Sequence, residues 1–179
     1  MIDPVVELSL RLALSLLFAA AAWHKISDLR RFTATVRDYE LLPATWASLA
    51  AWVLPIAEAS IAAGLLYDPT RKAASAAAAA MLVLYAVAIT VNLARGRREI
   101  DCGCFASSSR TPLSPWLLAR NLVLAAAAGA LVWPSRERSL LWIDWMTVAA
   151  ALIVLVLLWS TVRRLAEAPG ALERLGGNR

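Results

Sequence analysis

The apolar residues of this chain of 179 residues fall into five blocks of about twenty, with most of the charge in the gaps between them. A helix that crosses a bilayer needs about 20 predominantly apolar residues. A soluble helical protein instead spreads charge along one face of every helix. The blocks therefore predict spanning helices at about 5–23, 46–67, 73–94, 115–133 and 143–161. Hydrophobic residues make up 60% of the chain and the mean hydropathy is +0.63, so almost nothing is left for a soluble domain. The expected architecture is an all-α integral membrane bundle over residues 1–165, followed by a polar tail at 166–179.

Local signals agree with these boundaries. Pro43 and Pro115 suit helix starts, Pro69 and Pro134 follow helix ends, and Asp68-Pro69 is a turn signal. Trp23, Trp46, Trp116 and Trp159 fall near one implied membrane face and Trp133 and Trp142 near the other, as aromatic belts do. Trp52 fits neither belt. Residues 1–9 lack a basic leader region, and the first block runs to Trp23 without a cleavage signal, so it is expected to remain as the first helix.

The segment 28–42 differs from the rest. Leu29, Phe32, Val36 and Tyr39 recur at helical spacing among Arg30, Arg31, Arg37, Asp38 and Glu40, the pattern of an interfacial amphipathic helix. The net charge of +5 and pI of about 9.9 do not point to nucleic acid, because the basic residues sit mainly at block edges, where they meet lipid headgroups. One side collects Lys25, Arg30, Arg31, Arg37, Arg95, Arg97, Arg98, Arg110, Arg163, Arg164, Arg174 and Arg179. The opposite side has only Arg71, Lys72, Arg136 and Arg138. The positive-inside rule then puts the N-terminus outside and the third loop in the cytoplasm of a bacterial-type inner or plasma membrane.

The chain has two cysteines, and both lie in the third loop as Asp101-Cys102-Gly103-Cys104-Phe105. The bland alternative is two unrelated small residues at a helix end. A Cys-x-Cys bridge closes a very short ring, whereas unstrained disulfides keep their Cα atoms roughly 4.4 to 6.8 Å apart. Gly103 removes the Cβ that would make the turn worse. Strained or exposed disulfides are the exchange-active ones, so the spacing favours catalytic over structural cysteines.

Attack on a disulfide needs thiolate, which nearby cations favour. Helix counting brings His24 and Lys25, Asn92 and Arg95, and Arg120 and Asn121 to the end of the bundle that carries Cys102. Asp101 works against thiolate formation, or shuttles a proton. His24, the single histidine, reads equally as an interfacial tip beside Trp23 and as a proton-transfer group. Arg120 either faces a partner or cavity or snorkels to the interface. Deeper in the bundle, Arg11 and Glu58 lie at matching distances from Trp23 and Trp46 on antiparallel helices. They are expected to form an Arg11–Glu58 ion pair, chiefly structural, with proton relay as the lesser reading.

Taken in order, several segments resemble the MauE group of DoxX-like redox-associated membrane proteins. They are His24-Lys25, Tyr39-Glu40-Leu41-Leu42-Pro43, Leu54-Pro55-Ile56-Ala57-Glu58, Arg95-Gly96-Arg97 ahead of Asp101-Cys102-Gly103-Cys104-Phe105, and Arg120-Asn121. The similarity covers roughly residues 5 to 134. The family pattern has Gly after the Phe where this chain has Ala106, and a four-helix core, so the fifth helix is an addition. The resemblance implies a DoxX-like four-helix transmembrane bundle and a thiol–disulfide role in exported proteins beside a thioredoxin-like partner. It leaves the direction of electron flow open.

The leading expectation is a membrane thiol–disulfide electron carrier in which Cys102 and Cys104 exchange with a partner dithiol. A second is binding or transport of soft Cu(I) or Hg(II) by the two thiolates, with His24 as a third ligand. Two thiolates are too few for a closed zinc site, and no resident metal is expected. A third is a non-catalytic scaffold, in which serine would replace both cysteines without loss. No phosphate loop, hydrolase His pair or serine triad is present. The sequence requires no cofactor, and leaves quinone binding and oligomeric state open.

Overall fold

The computed structural model describes residues 3–97, 100, 113–133, 141–154, 156–157 and 160–161. Its first helix, α1, spans Pro4–Ser27, followed by α2 (Leu29–Asp38), α3 (Ala44–Leu66), a single 3-10 turn at Asp68–Thr70, α4 (Arg71–Ala94) and α5 (Pro115–Ala130). A further apolar helix, α6, covers Trp142–Val154. No strand occurs among the described residues. Three stretches, Pro4–Ser27, Ala44–Leu66 and Asp68–Ala94, are long and apolar enough to cross a membrane, while α5 and α6 are shorter apolar helices.

The ends of these helices follow from local chemistry. Asp3 caps α1 by accepting from the Val5 N–H at 2.9 Å, with Pro4 in the first turn, where its missing donor costs nothing. Asp28 separates α1 from α2 and caps α2 by accepting from the Arg31 N–H at 3.1 Å. The amphipathic segment is helical over Leu29–Asp38, shorter than 28–42. It stops where Glu40 takes a positive φ of 48° ahead of Leu41-Leu42-Pro43. Phe32 and Thr35 form its buried face, and Arg30 and Arg37 are exposed.

Helix α1 lies against α3, and α4 against both α3 and α5. Leu14 and Phe18 of α1, Ile61 and Leu65 of α3, Ala78 and Leu82 of α4, and Ala125 and Ala128 of α5 make the main core. Small residues let the backbones approach: a Cβ built on Gly64 would stand 3.0 Å from the Cβ of Ala74. A second cluster, Ile89, Leu113 and Leu117, sits at the other end of α4, with Tyr39 and Leu93 against it. Outward faces carry Leu16, Ile56, Leu84, Val87 and Val123, all exposed, as in a bundle whose solvent is lipid. Trp52, which fitted neither belt, is exposed on α3 and joins this outward surface.

Two contacts fix the register of α1 on α3. Ser15 Oγ donates to Ala62 O at 2.9 Å, and Arg11 Nε donates to Leu65 O at the same distance. The two helices run antiparallel, so the end of α1 lies beside the start of α3. Arg95 donates to Glu40 O at 3.3 Å and Arg97 pairs with the Glu40 carboxylate at 2.8 Å, which ties the end of α4 to the α2–α3 connection. The ends of α1 and α4 and the start of α5 therefore meet at one end of the bundle.

Candidate functional site

The segment between α4 and α5 carries Asp101, Cys102, Gly103, Cys104 and Phe105, which lie outside the described residues. The structure does place the groups expected around them. His24 and Lys25 occupy the last turn of α1, Asn92 the last turn of α4, and Arg120 and Asn121 the second turn of α5. Asn92 is fully buried and Asn121 nearly so, whereas His24 and Arg120 are half-buried. Asn92 Nδ2 donates to Ala88 O at 3.1 Å, but its Oδ1 has no hydrogen-bond partner among the described residues, nor has Asn121 Nδ2. Two buried amides thus stand on the helices that flank the cysteine segment, each with unused hydrogen-bonding capacity.

Lys25 departs from expectation. Its side chain is only 4% exposed and turns inward, where the ammonium pairs with Glu58 and donates to the Tyr85 hydroxyl at 3.1 Å. Tyr85 in turn donates to Glu58 Oε1 at 2.7 Å. The faces of Tyr85 and Phe32 lie 4.8 and 5.1 Å from the Lys25 nitrogen, within cation–π range. Four helices thus converge on one ammonium: α1 supplies it, α2 and α4 the rings, and α3 the carboxylate.

The expected Arg11–Glu58 pair is not formed. Arg11 instead pairs with Asp68 at 2.7 Å and lies 3.8 Å from Glu7, while donating to Leu65 O at the end of α3. Arg71 binds the same Glu7, closing a second charged cluster at the opposite end of the bundle. Register and side-chain direction explain the difference. The observed contacts set Glu58 level with Phe18, about two turns from Arg11. Helical side chains also lean toward their own N-terminus. On antiparallel helices that tilt carries Arg11 away from Glu58 and brings Lys25 and Glu58 toward each other.

Tyr85 escaped the sequence reading. Its signal was a phenol in the middle of an apolar block, where a buried hydroxyl needs a partner. Among the described residues, no three of His, Cys, Asp and Glu come together as a metal-holding group.

A family model described as methylamine utilisation protein MauE matches residues 3–134. Methylamine utilization protein MauE of Paracoccus denitrificans is 44% identical over 131 residues, covering 73% of this chain and 70% of that protein. The protein of the same name from Methylorubrum extorquens is 43% identical over 131 residues, with the same shares covered. That from Paracoccus versutus is 40% identical over 126 residues, 70% of this chain and 68% of the relative. No solved structure matches. The matched region ends just past α5, so α6 and the tail lie beyond it.

Proposed function

Because the chain belongs to the MauE family, we propose that it is a multi-pass membrane thiol–disulfide electron carrier that serves methylamine utilisation by maturing disulfides in an exported protein. The observation that carries this reading is the placement of the chain's only two cysteines. They are separated by a single glycine and lie inside the region shared with the family, between two helices that present buried polar side chains at that end of the bundle.

The chemistry needs no group beyond the two sulfurs and a partner dithiol. A thiolate of the partner attacks one sulfur of the Cys102–Cys104 disulfide, forming a mixed disulfide and releasing the other cysteine as thiolate. The partner's second thiolate then attacks its own sulfur in the mixed bond, leaving both Cys102 and Cys104 reduced and the partner oxidised. Two electrons pass and each broken S–S bond is replaced by another. The same steps run in either direction. A thioredoxin-like protein is the fitting partner, since it offers a dithiol on an accessible surface.

Gly103, lacking a Cβ, suits the tight turn that a Cys102–Cys104 ring needs, and Asp101, next to Cys102 in sequence, is the group proposed to hold or pass a proton. Phe105 completes the family segment. His24, Arg120 and the Asn92 and Asn121 amides border the same end of the bundle. Lys25, in the last turn of α1, turns inward to Glu58 and Tyr85.

The membrane arrangement belongs to the same reading. Residues 1–165 form one bundle of five spans with α2 in the interface, a DoxX-like four-helix core of α1, α3, α4 and α5 with α6 added, and a polar tail at 166–179. The N-terminus lies outside, and the count of twelve basic residues against four favours a cytoplasmic cysteine segment, reduced by a cytosolic thioredoxin-type donor, so that an exported client requires access across the membrane.

Replacing one cysteine tests the mechanism. Cys104→Ser or Cys102→Ser should accumulate a mixed disulfide with a thioredoxin-fold partner, visible as a reductant-sensitive higher-mass species. The absence of that species from both variants, with wild-type function retained in the double serine variant, overturns the reading.

A further inference from the structure

Glu58 is 1% exposed, inside a helix long enough to span the membrane, yet its two oxygens are treated unequally. Oε1 accepts from both Lys25 and Tyr85, while Oε2 has no hydrogen-bond partner among the described residues. An ionised carboxylate offers about four acceptor positions. Leaving one oxygen of a buried charge bare is costly, and a purely structural lock gains nothing from it.

Lys25 shows the opposite pattern. Besides the carboxylate, its ammonium has the Tyr85 hydroxyl and two aromatic faces. Ring faces attract a cation whatever the charge of the neighbouring carboxyl. The ammonium therefore keeps partners when Glu58 becomes neutral. The Tyr85 hydroxyl accepts from Lys25 and donates to Glu58, joining the two groups.

We propose that Lys25, Tyr85 and Glu58 form a proton-exchange site inside the bundle, with Glu58 Oε2 as the atom that takes the proton. Uptake of one proton from water forms an O–H bond at Oε2 and converts the carboxylate to a carboxylic acid. Lys25 stays an ammonium, so the cluster charge rises from zero to plus one; release to water reverses each change. Lys25 from α1 and Tyr85 from α4 are the titratable groups bonded to Glu58, α2 contributes only the Phe32 ring, and His24 adjoins Lys25 in the last turn of α1. The Glu7–Arg11–Arg71–Asp68 cluster occupies the other end of the bundle. The site stands on its own geometry, independent of the thiol chemistry.

The test is infrared difference spectroscopy between acidic and alkaline buffers, on the full chain in phosphatidylcholine vesicles with carbon-13-labelled glutamate. The expected result is an isotope-shifted C=O band at the higher frequency of a desolvated glutamic acid, apart from the bands of exposed glutamates, lost in Glu58→Gln and retained in Glu7→Gln. Tyr85→Phe keeps both charges and removes one donor to Oε1, so it should move the band's frequency even if Glu58→Gln fails to fold. A spectrum without that band at every pH where the amide bands remain helical overturns the proposal. So does a band that survives in Glu58→Gln, or one that Tyr85→Phe leaves unmoved.

Discussion

Replacing Lys25 with methionine keeps most of the side-chain volume and removes the charge, which leaves Glu58 buried with Tyr85 as its remaining hydrogen-bond partner. Both members of the pair are almost fully desolvated, at 4% and 1% side-chain exposure, so the surface value of an ion pair does not apply. Breaking a buried pair from one side costs about 3–5 kcal/mol, because the surviving charge is uncompensated. That corresponds to roughly two to three and a half orders of magnitude in the folding equilibrium.

Glu58→Leu should cost less than Lys25→Met by about 1–2 kcal/mol, since the orphaned ammonium keeps the faces of Phe32 and Tyr85. The double variant Lys25→Met/Glu58→Leu removes both charges and should return to within about 2 kcal/mol of wild type. The assay is reversible unfolding of the full chain in mixed micelles, followed by circular dichroism and read as a double-mutant cycle. If the two single losses simply add in the double variant, Lys25 and Glu58 are not coupled and the observed register is wrong. Coupling of Glu58 to Arg11 instead would restore the pairing expected from depth alone.

At the opposite end of the bundle, Arg11→Met should destabilise by about 1–3 kcal/mol in the same assay, because it strips a charged donor from the last carbonyls of α3 and leaves Asp68 without its arginine. Gly64→Val should cost about 1–3 kcal/mol by forcing α3 and α4 apart where even an added Cβ would stand 3.0 Å from that of Ala74, whereas Gly129→Ala, with open space around it in α5, should be neutral or stabilise by up to about 1 kcal/mol.

What the sequence revealed and what it hid divide along a physical line. Apolar block length and the punctuation by Pro43, Pro69 and Pro115 belong to single segments, so α1, α3 and α4 appear close to their expected blocks, while α5 is shorter than the block at 115–133. The α2 helix was legible from the spacing of Leu29, Phe32 and Val36, but its end depends on the turn at Glu40, which spacing does not report. The partners of Arg11, Lys25 and Glu58 depend on how α1 slides along α3 and on the tilt of each side chain. Equal distances from two tryptophans carry neither quantity, because Trp23 and Trp46 lie on exposed surface and do not fix the register. The helix positions of Asn92 and Asn121 were legible from sequence because each lies a fixed number of residues from the end of an apolar block, whereas their burial depends on packing. Tyr85 was missed because its ring suits an apolar helix and only its hydroxyl reveals the cluster.

The most direct measurement is the redox state of the two thiols in isolated membranes, read with a mass-shifting maleimide before and after mild reduction. The thiol–disulfide reading predicts that Cys102 and Cys104 are blocked before reduction and both label after it, giving a two-step mass shift that appears together. An impermeant maleimide on intact cells then reports which side they face, with the cytoplasm expected. Full labelling of both thiols without reductant, persisting after mild oxidation, would contradict the reading.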